Sequence, residues 1–300
     1  MSTNTVALLG VGRMGAAFVD RWREAGRDVV LWNRTASSAA ALAGPGIRVA
    51  ESPEEAVNGV EVVVTMLTSG DALTSVMLEQ GALAAMRPGS VLVDLSTIDV
   101  PASMAVAQAA EAAQVEYLRG AVSGTPPVVR AGNATLMLSG SDAAYQAAQE
   151  VLNDLSSKHA LLGTQEEARI VKIALNAMLA ATTQVLAESI TLAEAAGVSR
   201  DVFLDALGSS TLSSPFLGYK GTALRNRDYS VTFTTANMRK DMMLALGLAD
   251  DSDVPLPVAT VVLDRLDLAI EAGYGSDDFL SLACIQQSAA GQGVDHAPRS

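Results

Sequence analysis

The stretch Thr5-Val6-Ala7-Leu8-Leu9-Gly10-Val11-Gly12-Arg13-Met14-Gly15 decides the fold. An apolar, strand-like run enters a glycine turn, and a helical pattern leaves it. In this arrangement backbone cradles a dinucleotide pyrophosphate. Gly10 permits the tight turn, Gly12 lets the backbone approach the phosphates, and Gly15 lets the helix sit close to its strand. The new helix, opening at Arg13 and Met14, turns free N–H groups toward negative charge. Taken alone, the glycines read equally well as an ordinary turn.

About twenty residues further on, where such folds place the ribose-binding residue, a second apolar run ends in Trp32-Asn33-Arg34-Thr35. A site for NAD usually has Asp or Glu there. Asn33 removes the carboxylate that would repel a 2′-phosphate, and Arg34 offers a fork of N–H donors to clamp one. The pair predicts NADP(H). Thr35 extends this edge, and Met66 and Leu67, just past the fourth strand, join the expected cofactor contacts.

Composition narrows the class. The chain has 300 residues, 49% of them hydrophobic, with a formal net charge of −13. That length suits two domains, or one domain with a large appendage, and the composition allows a sizeable core. So acidic a chain is repelled by nucleic acid and anionic membrane, and neither is an expected partner. Cys284 is the single cysteine, which excludes an intrachain disulfide and fits a reducing compartment. No Cys/His cluster has metal-ligand spacing, so no metal is expected. The N-terminal MSTNT lacks a basic segment followed by a long apolar run, and no apolar run approaches the ~18 residues of a membrane span. These features read as a cytoplasmic protein.

Strand-like runs at 5–9, 28–32, 47–49, 61–65, 90–94, 115–118 and 135–138 alternate with helical patterns at 14–25, 35–43, 53–58, 71–85 and 101–113. This predicts an α/β domain built on a doubly wound parallel sheet. A further helix at 142–153 and a short strand at 159–162 close it. After Gly163 the pattern is helical: 165–196 without proline or glycine, then 200–207, 234–250 and 256–272. The expected domains are 1–163, binding the dinucleotide, and 164–300, all-helical. The 165–196 helix is apolar nearly all round, so it calls for a second copy of the chain as cover, giving a homodimer. The tail GQGVDHAPRS reads as frayed.

Within that apolar helix, Lys172 and Asn176 are four residues apart and share a face, with Thr183 close to it. A bland reading has Lys172 reaching solvent and Asn176 bonding to neighbouring backbone. A chemical reading is available because the helix follows a cofactor domain. Carbonyl reduction by hydride needs a proton donor, and a lysine whose pKa burial lowers can be one. Asp94-Leu95-Ser96-Thr97 ends a strand, where ligands bind in such sheets. Gly120 to Pro126 reads as the loop after the next strand. Its Ser123 hydroxyl and the N–H groups of Gly124 and Thr125 suit a small anion such as a carboxylate. Lys240-Asp241 lies on a helix after Phe233 and is otherwise a solvated charge pair. His159 and His296 read as a strand residue and a tail residue.

Together and in order, these residues resemble the β-hydroxyacid dehydrogenase family, which includes 3-hydroxyisobutyrate dehydrogenases and NADPH-dependent glyoxylate and succinic semialdehyde reductases. The resemblance rests on GVGRMG, DLSTID, Val122-Ser123-Gly124, Lys172-Ile-Ala-Leu-Asn176 and MRKDMMLAL. It implies that Lys172 is the proton donor and Asn176 its support. Ser123, Gly124, Thr125, Phe233 and Asp241 would surround a small-molecule substrate, and Thr97 and Lys240 would touch cofactor or substrate. It also implies a dimer through the long helix. The expected activity is hydride transfer from NADPH to a small carbonyl of the hydroxyacid or semialdehyde type. The loop Arg119–Pro127 and Leu138-Ser139-Gly140-Ser141 resemble the related imine reductases instead. An NADPH-dependent imine reductase or reductive aminase is therefore the alternative, and a non-catalytic NADP-binding protein the second.

Overall fold

A computed structural model describes residues 4–298. Residues 1–3 of the polar N-terminus and 299–300 of the tail lie outside the described residues. The chain forms two compact units that divide between Lys172 and Ile173, inside a helix, whereas the sequence places the boundary at residue 163.

The first unit is an eight-stranded sheet in the order β3-β2-β1-β4-β5-β6-β7-β8. The strands are β1 (Thr5–Leu9), β2 (Asp28–Trp32), β3 (Ile47–Val49), β4 (Val62–Thr65), β5 (Val91–Asp94), β6 (Glu116–Ser123), β7 (Thr135–Ser139) and β8 (Lys158–Gly163). Helices α1 (Arg13–Glu24), α2 (Ala36–Ala40), α3 (Pro53–Val57), α4 (Gly70–Thr74), α5 (Ala82–Ala85), α6 (Val100–Ala112), α7 (Pro126–Arg130) and α8 (Asp142–Leu155) connect them. Alternation along β1 builds the two faces. Val6 and Leu8 enter one buried cluster with Phe18, Trp22 and Leu152, while Ala7 and Leu9 enter another with Val57, Leu73, Met77 and Val106. Coverage on both faces is what a doubly wound sheet requires.

Three local readings need correction. β6 pairs antiparallel with β7, so the sheet is not wholly parallel. The link between them holds only the five-residue α7, too short for a parallel crossover. β6 also runs on to Ser123, so Gly120 lies in a strand rather than a loop. A Cβ at Gly120 would meet Leu95 Cδ2 at 2.6 Å and Leu138 Cδ2 at 2.9 Å; this glycine serves close packing, not a turn. Finally, the expected 71–85 helix is broken. A π-turn spans Ser75–Glu79, and Gly81 stands at φ +72° before α5 begins.

The second unit is helical. α9 (Glu167–Ala195) starts in the first unit and continues into this one, followed by α10 (Arg200–Ser209), α11 (Pro215–Arg225), α12 (Thr235–Asp251), α13 (Pro257–Glu271) and α14 (Leu282–Ala289). α7, α11 and α14 were not expected from sequence. α11 did carry a start signal, Ser214 capping Leu217 N with Pro215 behind it. By length and composition α9 is apolar enough to cross a membrane, with an 18-residue window of mean hydropathy 1.5, contrary to the sequence reading. It is nevertheless a core helix of this unit. Ala180 packs with Met238, Met242 and Leu266, and Leu186, Ala187 and Ile190 pack with Leu204, Leu224 and Leu280. The tail is pinned rather than frayed at Asp295 and His296: Asp295 accepts from Gln287 Nε2 at 2.9 Å and from Arg200, and Tyr274 OH donates to His296 O at 2.8 Å.

Candidate active site

The glycine turn is built as its sequence suggests. Gly10 has φ +105°, and a Cβ there would strike the Met66 carbonyl; one at Gly15 would strike the Gly10 carbonyl. A Cβ on Gly12 would meet nothing within 4 Å, so the N-terminal end of α1 is open to an approaching group. Arg13 and Met14 form the first turn beyond it. Gly10, Val11, Gly12, Asn33, Arg34, Thr35, Met66 and Leu67 line one cavity of about 280 Å³.

Asn33 organises this cavity. Its Oδ1 accepts from Val11 N at 2.8 Å, and its Nδ2 donates to Thr35 O at 3.0 Å. The amide therefore ties the glycine turn to the end of β2. Arg34 is exposed and makes no hydrogen bond or ion pair among the described residues, which leaves its donors available to an anionic group. An open helix end beside an exposed guanidinium has the chemistry to hold the phosphates of a dinucleotide.

Thr97 is half-buried in the turn after β5. Ser123 and Gly124 are exposed where β6 ends, and Thr125 precedes α7. β6 runs parallel to β5, so both segments emerge at the same edge of the sheet. Ser123, Gly124 and Thr125 are not among the residues lining the cofactor cavity.

The start of α9 is held by a buried charged network that sequence reasoning missed. Arg169 donates to Asp94 Oδ2 at 2.9 Å, Ser96 O at 2.9 Å, Tyr117 OH at 3.3 Å and Glu166 Oε2 at 3.2 Å. Glu166 also accepts from Arg119 Nε at 2.5 Å. Two cations thus meet two carboxylates, and every member is nearly removed from solvent. Burial and the neighbouring Asp94 push the Tyr117 phenol well above its usual pKa, so it stays protonated. Burial alone would lower the Arg169 pKa, but Asp94, Tyr117 and Glu166 raise it overall. Ser139 Oγ completes the anchor, donating to Gln165 O at 2.7 Å and accepting from Ala168 N at 3.2 Å. The available signal was Glu166 and Arg169, three apart where the long apolar helix begins.

In the helical unit, Asn176 and Asp241 are buried and joined, Nδ2 to Oδ2 at 2.5 Å. Lys240 Nζ is 2.8 Å from Asp241 Oδ1. Lys172 is half-buried one helical turn before Asn176. Thr183 does not join this group; its hydroxyl donates back to Leu179 O at 2.9 Å. Phe233 packs edge-on against Phe279, centroids 6.3 Å apart. Its N–H donates to Asp278, a buried carboxylate that also holds Lys220 Nζ at 2.6 Å.

Residues 5–163 match the family of the NAD binding domain of 6-phosphogluconate dehydrogenase. Residues 167–285 match the family described as NAD-binding of NADP-dependent 3-hydroxyisobutyrate dehydrogenase. Glyoxylate/succinic semialdehyde reductase 1 of Arabidopsis thaliana is 28% identical over 275 residues, 91% of this chain and 95% of that protein. The solved 3-hydroxyisobutyrate dehydrogenase of Mycobacterium tuberculosis is 27% identical with a TM-score of 0.86, covering 93% of this chain and 98% of the other. An imine reductase from Pseudomonas sp. shares the fold at 23% identity and TM-score 0.63, over 94% of this chain and 98% of its own. The glycine cradle, the two-part architecture and these relationships agree: the chain belongs to the β-hydroxyacid dehydrogenase family and is an NAD(P)-dependent oxidoreductase.

Proposed function

We propose that the protein uses NADPH to reduce a small carbonyl compound of the hydroxyacid or semialdehyde type, with Lys172 as proton donor. The observation that carries this reading is the buried Asn176–Asp241 pair, one helical turn from Lys172. When bound, the reduced nicotinamide supplies a hydride to the carbonyl carbon. Lys172 delivers the proton to the carbonyl oxygen, so the product is the alcohol. Asn176 orients the lysine or the substrate, and Asp241 holds the Asn176 amide in place. Ser123, with the N–H groups of Gly124 and Thr125, receives a substrate carboxylate; Phe233 supplies an apolar wall, and Thr97 and Lys240 meet cofactor or substrate. The choice of NADPH rests on Arg34 and on Asn33 standing where a carboxylate would.

The protein acts as a homodimer in this reading. Leu175, Met178, Val185 and Leu192 are exposed along α9 at successive spacings of three, seven and seven residues, a stripe typical of a helix awaiting a partner. An apolar groove of about 550 Å³ adjoins it, lined by Val185, Phe203, Leu207 and Leu217.

NADPH oxidation assayed with glyoxylate, succinic semialdehyde and a cyclic imine, and a 3-hydroxyacid run in reverse with NADP+, tests the proposal. Turnover of a carbonyl or hydroxyacid partner is expected. Turnover of the imine alone would favour the second reading, for which the Thr125-Pro126-Pro127 segment speaks. Activity with none would favour a non-catalytic NADP-binding protein.

A further inference from the structure

We infer that Arg169 is a positioning residue that sets Lys172 relative to the cofactor cavity; this rests on the proposal that Lys172 donates the proton. A continuous set of bonds runs from the cavity wall to the lysine's own helix. Leu67, which lines the cavity, donates its N–H to Ser96 Oγ at 2.8 Å. Ser96 accepts Arg169 Nη1 at its carbonyl, 2.9 Å away. Asp94 grips the same loop from below, accepting from Thr65 Oγ1 at 2.7 Å and from Ser96 N at 3.0 Å, and takes Arg169 Nη2 at 2.9 Å. Arg169 and Lys172 are three residues apart on α9, so they are neighbours on one helix face.

The chemistry of this link suits direction more than strength. A buried ion pair contributes little net stability over a well-packed apolar group, whereas a planar guanidinium fixes angles through a rigid fork. Arg169 is 1% exposed and uses all three of its nitrogens on four partners. Such a clamp stops the first turns of α9 from rotating about their axis. A rotation there would swing Lys172 sideways, and misplacement by about 1 Å can cost roughly 10²-fold in rate.

The test compares Arg169→Lys and Asp94→Asn, each alone and combined with Lys172→Met, by single-turnover NADPH oxidation, NADPH titration and thermal melting. Arg169→Lys keeps the charge and loses the fork; Asp94→Asn keeps the shape and weakens the grip. Either is expected to slow the hydride step by roughly 10- to 100-fold, with NADPH affinity within about threefold and the folded state retained. Neither should slow Lys172→Met further, because the residue being positioned is then absent. A full hydride-step rate in both single variants would overturn the inference, as would a slowing that recurs undiminished on top of Lys172→Met. If Lys172→Met itself keeps full activity, it is the proton-donor reading that fails, a separate outcome.

Discussion

Asn176 and Asp241 lie 65 positions apart in sequence and meet as a buried amide–carboxylate pair, Nδ2 to Oδ2 at 2.5 Å. The second carboxylate oxygen lies 2.8 Å from Lys240 Nζ, so Asp241 links two polar side chains inside an apolar helical unit. Asp241→Asn keeps the shape and removes the charge. A hydrogen bond to a charged group is worth about 1.5–3 kcal/mol, so kcat should fall roughly 10- to 100-fold. NADPH affinity measured by fluorescence titration should change little. An unchanged kcat would separate Asp241 from the site.

The proposed preference for NADPH rests on Arg34. Charge-assisted bonds from it to a 2′-phosphate would be worth about 1.5–3 kcal/mol. Arg34→Ala should weaken NADPH binding roughly 10- to 100-fold and leave NADH binding nearly unaltered. Equal losses, measured as dissociation constants for both, would show that discrimination lies elsewhere.

Acid stability should depend on Asp278. Burial would raise its pKa, but the Lys220 ammonium and the bonds from Thr232 hold it below the usual carboxylate range. A depressed folded pKa means that the unfolded chain binds more protons, so stability rises with pH through that window. The contribution is complete above the unfolded value of about 3.9 and is lost as pH falls through the folded one. Asp278→Asn leaves Lys220 buried without its counter-charge and should cost about 3–5 kcal/mol at pH 7. Urea unfolding between about pH 5 and pH 2 should then show a shallower pH dependence than the native protein. Parallel curves would contradict this.

Assembly is tested at the exposed stripe of α9. Met178→Glu with Val185→Glu places two charges there, where each native side chain is more than half exposed in the single chain. Light scattering at micromolar concentration should give a dimer for the native protein and a monomer for the double variant. A native monomer would remove the proposed interface.

What could be read from sequence was local. The strands, the glycine turn and the Asn33-Arg34 edge each depend on neighbours in the chain, and periodicity or turn chemistry exposes them. Arg169 and Asp94 are 75 positions apart, so no spacing rule joins them. Gly120 misled for a related reason. Glycine signals a turn or a close approach with the same letter, and only the packing of Leu95 and Leu138 tells which. Asp278 and Asp295 look like surface acids in sequence; Lys220, Arg200 and Gln287 come to them only through folding.

The proton donor is the central claim, and Lys172→Met tests it most directly. The substitution keeps a side chain of similar length and leaves no proton to give. Steady-state and single-turnover assays with glyoxylate or succinic semialdehyde should show turnover reduced roughly 10²- to 10⁴-fold, with NADPH affinity nearly unchanged. A preformed iminium needs no donor, so imine reduction measured on the same variant should be spared if the enzyme has that activity. Carbonyl reduction at the native rate in Lys172→Met would contradict the account.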